Sequence, residues 1–357
     1  MAEKKCPSCG GVMYYDPEYE GMVCQFCGFK GEIEKNPEAT VEEISFDSAK
    51  ERASYDWGVT TKIVRCQGCG AETVNDDLQI AGRCPFCGST TVLPVDDSEG
   101  VMAPQAVIPF AVTRERAIGV FNNWIKTKIF CPSDFKNNAR LKDPDGVYIP
   151  IWTFDCDTTT EYSGKFGYTY SDGDGQYTKW KKKSGTFRKS IDDALVAGSR
   201  RLVDDKGFNR RVLNYYTGDA KPYIPDYLRG FSAERYSVGL DEAWGKFKLR
   251  FLKEVRNDIR RYESADAVDN KLLLSPKFEN VTFKYVMCPV WQAAFKYKGQ
   301  IYRIVINGEN GLIDGTYPKS YKILFIILGV IAAFFLLPII GSFLWTLISI
   351  IFGLFFT

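Results

Sequence analysis

The sequence predicts an α+β protein, and three observations carry that prediction. The pattern Cys-x2-Cys-x14-Cys-x2-Cys occurs twice, at Cys6, Cys9, Cys24 and Cys27 and again at Cys66, Cys69, Cys84 and Cys87. A central region alternates apolar and polar residues in long runs, with helical apolar spacing at Thr113–Lys128 and Asp241–Tyr262. The stretch Ile323–Phe356 then carries no charged residue. The expected architecture is two N-terminal four-cysteine zinc ribbons, a mixed β-rich α+β cytosolic region and a C-terminal transmembrane anchor. The boundaries fall at 1–37 (first ribbon), 38–60 (helical linker), 61–98 (second ribbon), 99–318 (α+β domain) and 319–357 (anchor).

Two close cysteine pairs per copy supply four thiolates, the ligand set of a closed tetrahedral Zn²⁺ site. The predicted cofactors are therefore two structural zinc ions. The chain has no histidine, so no imidazole can ligate a metal or act as a base. In each half-site, such as Cys6-Pro7-Ser8-Cys9-Gly10, the glycine after the second cysteine suits the positive φ of a tight knuckle. A ribbon is too small to build its own core, so the metal folds it. A redox dithiol is disfavoured by four equivalent pairs at ribbon spacing. Nucleic-acid binding has only Lys4, Lys5, Lys30 and Lys35 in ribbon one to support it.

The 357 residues, 45% hydrophobic and 15% aromatic, are enough for two or three domains with a substantial core. A formal charge of +2, from 46 basic and 44 acidic residues, gives no global attraction to nucleic acid or membrane. Eleven cysteines could suggest a secreted disulfide scaffold. The paired spacing and a Met-Ala-Glu-Lys-Lys start without an apolar stretch argue instead for a reducing cytosol. Cys131, Cys156 and Cys288 fall outside the pattern and read as buried.

Between the ribbons, Thr40-Val41-Glu42-Glu43 resembles a capping box and predicts a short helix toward Trp57. After Ala103-Pro104, Thr113 caps a helix with Ala117, Val120, Phe121, Trp124 and Ile125 on its apolar face. Gly146 to Phe154 opens a β region that runs on to Tyr170. Ser171–Gly175 superficially resembles a calcium loop, but strand-like tyrosines on both sides favour a hairpin turn. Lys179-Trp180-Lys181-Lys182-Lys183, with Phe187, Arg188 and Lys189, is the densest basic patch. A solvated hairpin flank is its default reading, with anionic lipid ahead of nucleic acid as a functional one. Trp244, Phe247, Phe251, Val255, Ile259 and Tyr262 form one stripe on the helix from Asp241. Hairpins are predicted at Lys298-Gly299 and Asn307–Gly311. Met287-Cys288-Pro289-Val290-Trp291 echoes Tyr148-Ile149-Pro150-Ile151-Trp152, suggesting an internal duplication.

A straight helix over the uncharged tail would reach about 50 Å, against a hydrocarbon core of about 30 Å. Pro338 and Gly341 divide it into pieces of about 17 residues, each just able to cross. A hairpin crossing twice, one tilted span and a kinked re-entrant anchor all fit, the hairpin being favoured. Lys319 and Lys322 precede the tail, which places the rest of the chain in the cytoplasm. No charge lies within the tail, so it serves as an anchor rather than a transport path.

Several stretches resemble a bacterial family of TFIIB-type zinc ribbon membrane proteins, sometimes mislabelled as primosomal helicases. They are Asp56-Trp57-Gly58, Val107-Ile108-Pro109-Phe110, Pro132-Ser133-Asp134-Phe135-Lys136 and Gly146-Val147-Tyr148-Ile149-Pro150. Further matches are Tyr227-Leu228-Arg229-Gly230-Phe231-Ser232-Ala233-Glu234-Arg235-Tyr236 and the Tyr-Lys-Gly and Val-Ile-Asn-Gly runs before the anchor. No Gly-x4-Gly-Lys-Ser/Thr phosphate loop is present, so the helicase label finds no support. The resemblance implies a membrane-anchored adaptor in a PspA-type membrane-stress response, with an ESCRT-III-like PspA protein and an SPFH-type membrane protein as partners. The expected function is a non-enzymatic scaffold with no small-molecule substrate. A membrane-tethered nucleic-acid-binding protein is the alternative.

Overall fold

A computed structural model describes residues 4–34, 39–49, 54–57, 62–75, 84–95, 102–138, 141, 144–173, 175–204 and 210–355. The protein is α+β, as its alternation and helical spacing predict. Met13–Asp16, Gly21–Cys24 and Lys30–Gly31 form a small three-stranded sheet. All other described strands join one large sheet built around the long strand Asp145–Asp172. That strand pairs antiparallel with Gly175–Ala197 on one side and Leu273–Tyr297 on the other. Its run from Val147 to Phe154 is buried on both faces, which is why it reads as nearly continuous apolar sequence. From Cys156 to Tyr162 alternate residues are buried, Thr158 and Thr160 among them, while Asp157 and Glu161 face solvent.

Both flanking strands bulge beside the same stretch of the central one, between Ile191 and Ala194 and between Glu279 and Thr282. Asp193 and Asn280 take φ of 49° and 53° at these bulges, which bend the strands. Helix Leu240–Tyr262 covers one face with Ala243, Phe247, Phe251, Val255 and Ile259. Phe251 and Phe247 meet Phe278 and Phe154 at 5.3 and 5.9 Å between ring centroids. Thr113 caps helix Arg114–Lys126 by accepting from the Arg116 amide at 3.2 Å. Its Phe121 stacks on Phe295 at 5.2 Å.

The two proline-centred motifs lie against each other, antiparallel, with Ile149 facing Cys288, Tyr148 facing Pro289 and Pro150 facing Met287. Their surroundings repeat. The Pro150 carbonyl accepts from the Gly198 amide and the Pro289 carbonyl from the Gly308 amide, both at 2.8 Å. The Gly198 carbonyl accepts from Ser237 and Val238, and the Gly308 carbonyl from Ala111 and Val112. A parallel strand flanks each motif at the same register: Ser232 and Ala233 beside Val147 and Tyr148, Ala106 and Val107 beside Val286 and Met287. The body is thus built on a local pseudo-twofold axis between the two long strands.

Three features depart from the sequence reading. The helical linker is, over Ile44–Ser45, a strand paired to Thr282 and Phe283, followed by a 3-10 turn at Phe46–Ser48. Phe46 packs between Phe154, Trp244 and Phe283, and this burial overrides the capping-box signal; residues 50–53 lie outside the described ones. The strands of the second ribbon do not form a separate module. Glu72–Asn75 pairs with Ser232–Glu234 and so continues the body sheet. Finally, the tail is one helix, Tyr321–Phe355, with Pro338 inside it, and not the favoured hairpin. Its stretch Leu324–Ile348 is bare of any packing against the body and is long and apolar enough to cross a membrane once.

Candidate metal centres

Each of the four Cys-x2-Cys knuckles folds the same way. The amides of Gly10, Gly28, Gly70 and Gly88 donate back to the carbonyls of Cys6, Cys24, Cys66 and Cys84 at 2.8–2.9 Å. Those glycines take φ between 71° and 74°, the left-handed region that a β-carbon disfavours. The turn aims both sulfurs of a knuckle inward, and two knuckles face each other. Across them Cys6 and Cys27 lie 3.5 Å apart, as do Cys9 and Cys24. In the second centre Cys66 and Cys87 are 3.5 Å apart and Cys69 and Cys84 3.7 Å. A disulfide would bring sulfurs to about 2.05 Å, so none is paired as a cystine. All eight predicted cysteines fall into two groups of four, with each group's ligand atoms within 4.8 Å of one another. Each group can hold a metal ion.

The sulfurs share protons unequally. In the first centre the Cys27 amide draws the Cys24 thiol down to about 7. The Gly11 amide pulls Cys9 down, but the neighbouring thiols Cys27 and Cys24 outweigh it and push Cys9 up to about 12. In the second centre the hydrogen bond from Cys84 holds Cys69 low, with the Arg201 guanidinium adding to it, while the same bond pushes Cys84 up. Such clusters take a cation in place of the shared protons. The first centre has exposed Cys9 and Cys27; in the second the corresponding Cys69 and Cys87 are half-buried.

One segment fastens both centres to the body. Residues 226–231 hold the first: Lys4 pairs with Asp226 at 2.6 Å, and the Tyr15 amide donates to the Arg229 carbonyl at 3.1 Å. Gly230, at φ 89°, lets Tyr14 approach so closely that a β-carbon there would lie 3.0 Å from the ring. Residues 233–235 hold the second, through the pairing of Ala233 and Glu234 with Val74 and Thr73 and the Arg235–Glu72 ion pair at 3.6 Å. Arg201 lies over the Phe86 ring at 3.5 Å and pairs with Glu234 at 2.6 Å. Glu234 is 2% exposed; burial pushes its carboxyl up, while Arg201 and Ser199 oppose that. A cavity of about 480 Å³ opens beside Cys69, and the arginines along it, Arg200, Arg201 and Arg235, each pair with a glutamate. Sequence reasoning missed Arg201 and Asp226. The only hint was charge set among aromatics in the 227–236 motif.

Cys131, Cys156 and Cys288 are buried and apart from both centres. A third group, Asp155, Asp192 and Asp193, already faces the ammonium of Lys284, 2.8 Å from Asp193 and 3.1 Å from Glu43. Of Ser171–Gly175, the described residues turn between Asp172 and Gly175, the closing pair of a hairpin. The basic patch lies on the arm of this hairpin, where Lys179 sits over Tyr170 and Tyr177 and Lys181 over Tyr168, each at 5.3 Å. Gly146 to Asp172 spans about 85 Å along the strand. The apolar C-terminal helix begins beyond the opposite end, near Phe130, where the Ser320 amide donates to its carbonyl. The arm thus lies at the far end of the long strand from the start of that helix.

The chain is 28% identical over 326 residues to the uncharacterized protein YdjG of Bacillus subtilis (strain 168), an alignment covering 88% of this chain and 90% of that protein. No known family's sequence profile matches, and no solved structure matches. Two four-cysteine centres on a β-rich α+β body, carrying an apolar C-terminal helix able to span a bilayer, define the molecule.

Proposed function

We propose that this protein is a non-catalytic, membrane-anchored adaptor whose two centres hold structural zinc and whose body recruits cytosolic proteins to the bilayer. The observation that carries the reading is the division of the molecule. Helix Tyr321–Phe355 leaves the body with the apolar surface of Leu324–Ile348 bare, while the basic arm extends from the other end. Ribbon one also presents Phe26, 79% exposed on its second knuckle, a side chain suited to a protein partner. For zinc, the cross-knuckle distances of 3.5–3.7 Å are close to the edge of roughly 3.8 Å of a tetrahedron with Zn–S near 2.3 Å. Four thiolates and no histidine suit that ion.

The partner class comes from the family resemblance: a PspA-type, ESCRT-III-like protein in a membrane-stress response, together with an SPFH-type membrane protein. Lys319 and Lys322 before the anchor support a cytoplasmic body. The test is fractionation of cells expressing the full chain or a form lacking residues 321–357. The adaptor reading expects the PspA-type protein to move to the membrane fraction only with the anchored form. An identical distribution in both strains would refute it.

The arm's lysines and exposed Tyr170, Tyr177 and Trp180 favour a second reading, single-stranded nucleic-acid binding. Affinity that falls steeply with salt and depends on Lys179, Lys181 and Lys182 would establish it.

A further inference from the structure

We propose that the turn Thr127–Phe130 is a second contact with the bilayer. In it, Ile129 and Phe130 enter the boundary between headgroups and acyl chains, and lysines around them hold anionic phospholipid. The proposal rests on the reading of helix Tyr321–Phe355 as an anchor.

Position comes first. The Ser320 amide donates to the Phe130 carbonyl at 2.7 Å, one residue before the anchor helix begins. The turn is thereby tied to the point where the chain enters the membrane. Ile129 is 69% exposed and Phe130 38%, although the helix just before them buries Phe121 and Ile125 completely or nearly so. Two large apolar side chains left in water beside an anchor are stabilised once they reach lipid.

The chemistry around the turn matches a headgroup layer. Lys126, Lys319 and Lys322 are exposed, and Lys128 and Lys136 half-exposed. The Lys136 ammonium donates to the Lys126 carbonyl at 3.3 Å, which keeps it at this end of the helix. Lys128 lies 4.5 Å from the centre of the Trp124 ring and 5.6 Å from that of Tyr317, and those rings meet edge-on at 5.8 Å. Tryptophan, tyrosine and lysine together are typical of the membrane–water interface, and clustered lysines attract an anionic leaflet. The nearby carboxylate of Asp134 is engaged by the Tyr297 hydroxyl at 2.7 Å. With two contacts, anchor and turn, the body keeps a fixed tilt and the arm points away from the bilayer.

The test uses the full chain in vesicles of phosphatidylethanolamine and phosphatidylglycerol, with the photocrosslinking residue p-benzoylphenylalanine at position 129, 335 or 26. Phe335 lies within the anchor and Phe26 on the first ribbon. Lipid adducts at 129 and 335, with none at 26, are expected. Adducts at 335 without adducts at 129 overturn the proposal and leave the anchor standing. No adducts at 335 overturn the anchor and the proposal together, and equal yields at 26 and 129 overturn the specificity of the turn. In phosphatidylcholine vesicles the yield at 129 should fall severalfold while that at 335 holds; an unchanged yield at 129 overturns the role of the lysines.

Discussion

The indole nitrogens of Trp152 and Trp291 make the same hydrogen bond in the two halves of the body. Each donates at 2.8 Å to a valine carbonyl, of Val238 and Val112 respectively, just before a helix. Each tryptophan therefore reaches the helix that precedes the other long strand, so the halves interlock and neither is complete alone. An aromatic two residues before each valine, Tyr236 and Phe110, packs on the corresponding indole at 5.3 and 4.9 Å.

Replacing either tryptophan with phenylalanine removes the donor and strands a buried carbonyl, at about 1–3 kcal/mol. Urea unfolding of the detergent-solubilised chain should show similar losses for Trp152→Phe and Trp291→Phe. A loss in one variant and none in the other would contradict the equivalence.

Arg201 neutralises Glu234 beneath the second centre, so Arg201→Ala leaves a buried carboxylate without its partner, at about 3–5 kcal/mol. Adding Glu234→Gln should recover much of that loss. Differential scanning calorimetry checks the order of stability: wild type, then the double variant, then Arg201→Ala. A double variant no better than Arg201→Ala would show that stacking on Phe86, rather than charge pairing, dominates.

Gly230 combines a positive φ with the close approach of Tyr14. Gly230→Ala should cost about 1–2 kcal/mol in backbone strain and loosen ribbon one alone. Limited proteolysis would then cut within residues 4–34 faster than wild type while leaving the large sheet intact.

Burial pushes the Asp155 carboxyl up from 3.8 to about 6; Glu43 and Asp193 push the same way, and the Asp193 amide and Lys284 oppose them. A carboxyl that binds its proton more tightly folded than unfolded contributes stability in full below pH 3.8. That contribution is lost as pH rises through about 6. Asp155→Asn should flatten the melting temperature against pH across this window; two parallel curves would sink the assignment.

The cysteine spacing made the knuckles legible because their geometry is local: a short turn and one glycine decide it. The two long helices and the Lys298-Gly299 turn were legible for the same reason, and Lys298 and Gly299 take φ of 49° and 81°. What distant residues decide was not. Phe46 becomes part of a strand and turn segment because Phe154, Trp244 and Phe283 bury it. Glu72–Asn75 joins the body because Ser232–Glu234 offers an open edge. Pro338 suggested a turn, but within a 35-residue apolar helix a proline forgoes only one backbone bond and can be carried. Ser342 and Thr346 return their hydroxyls to the carbonyls of Ile339 and Ser342 at 2.8 Å, so neither marks a break. Arg201 lies outside every recognisable stretch and far in sequence from Glu234, so their pairing leaves no local signal.

The central claim is that eight thiolates hold two zinc ions in a chain fixed to a membrane. Elemental analysis of full-length protein purified from membranes, alongside Cys66→Ser/Cys69→Ser, tests it most directly. Two zinc per chain in the wild type and one in the variant, matching the two cysteine groups, is the predicted result. Zinc content that the variant leaves unchanged, or a wild type free of zinc with its cysteines oxidised, would contradict it.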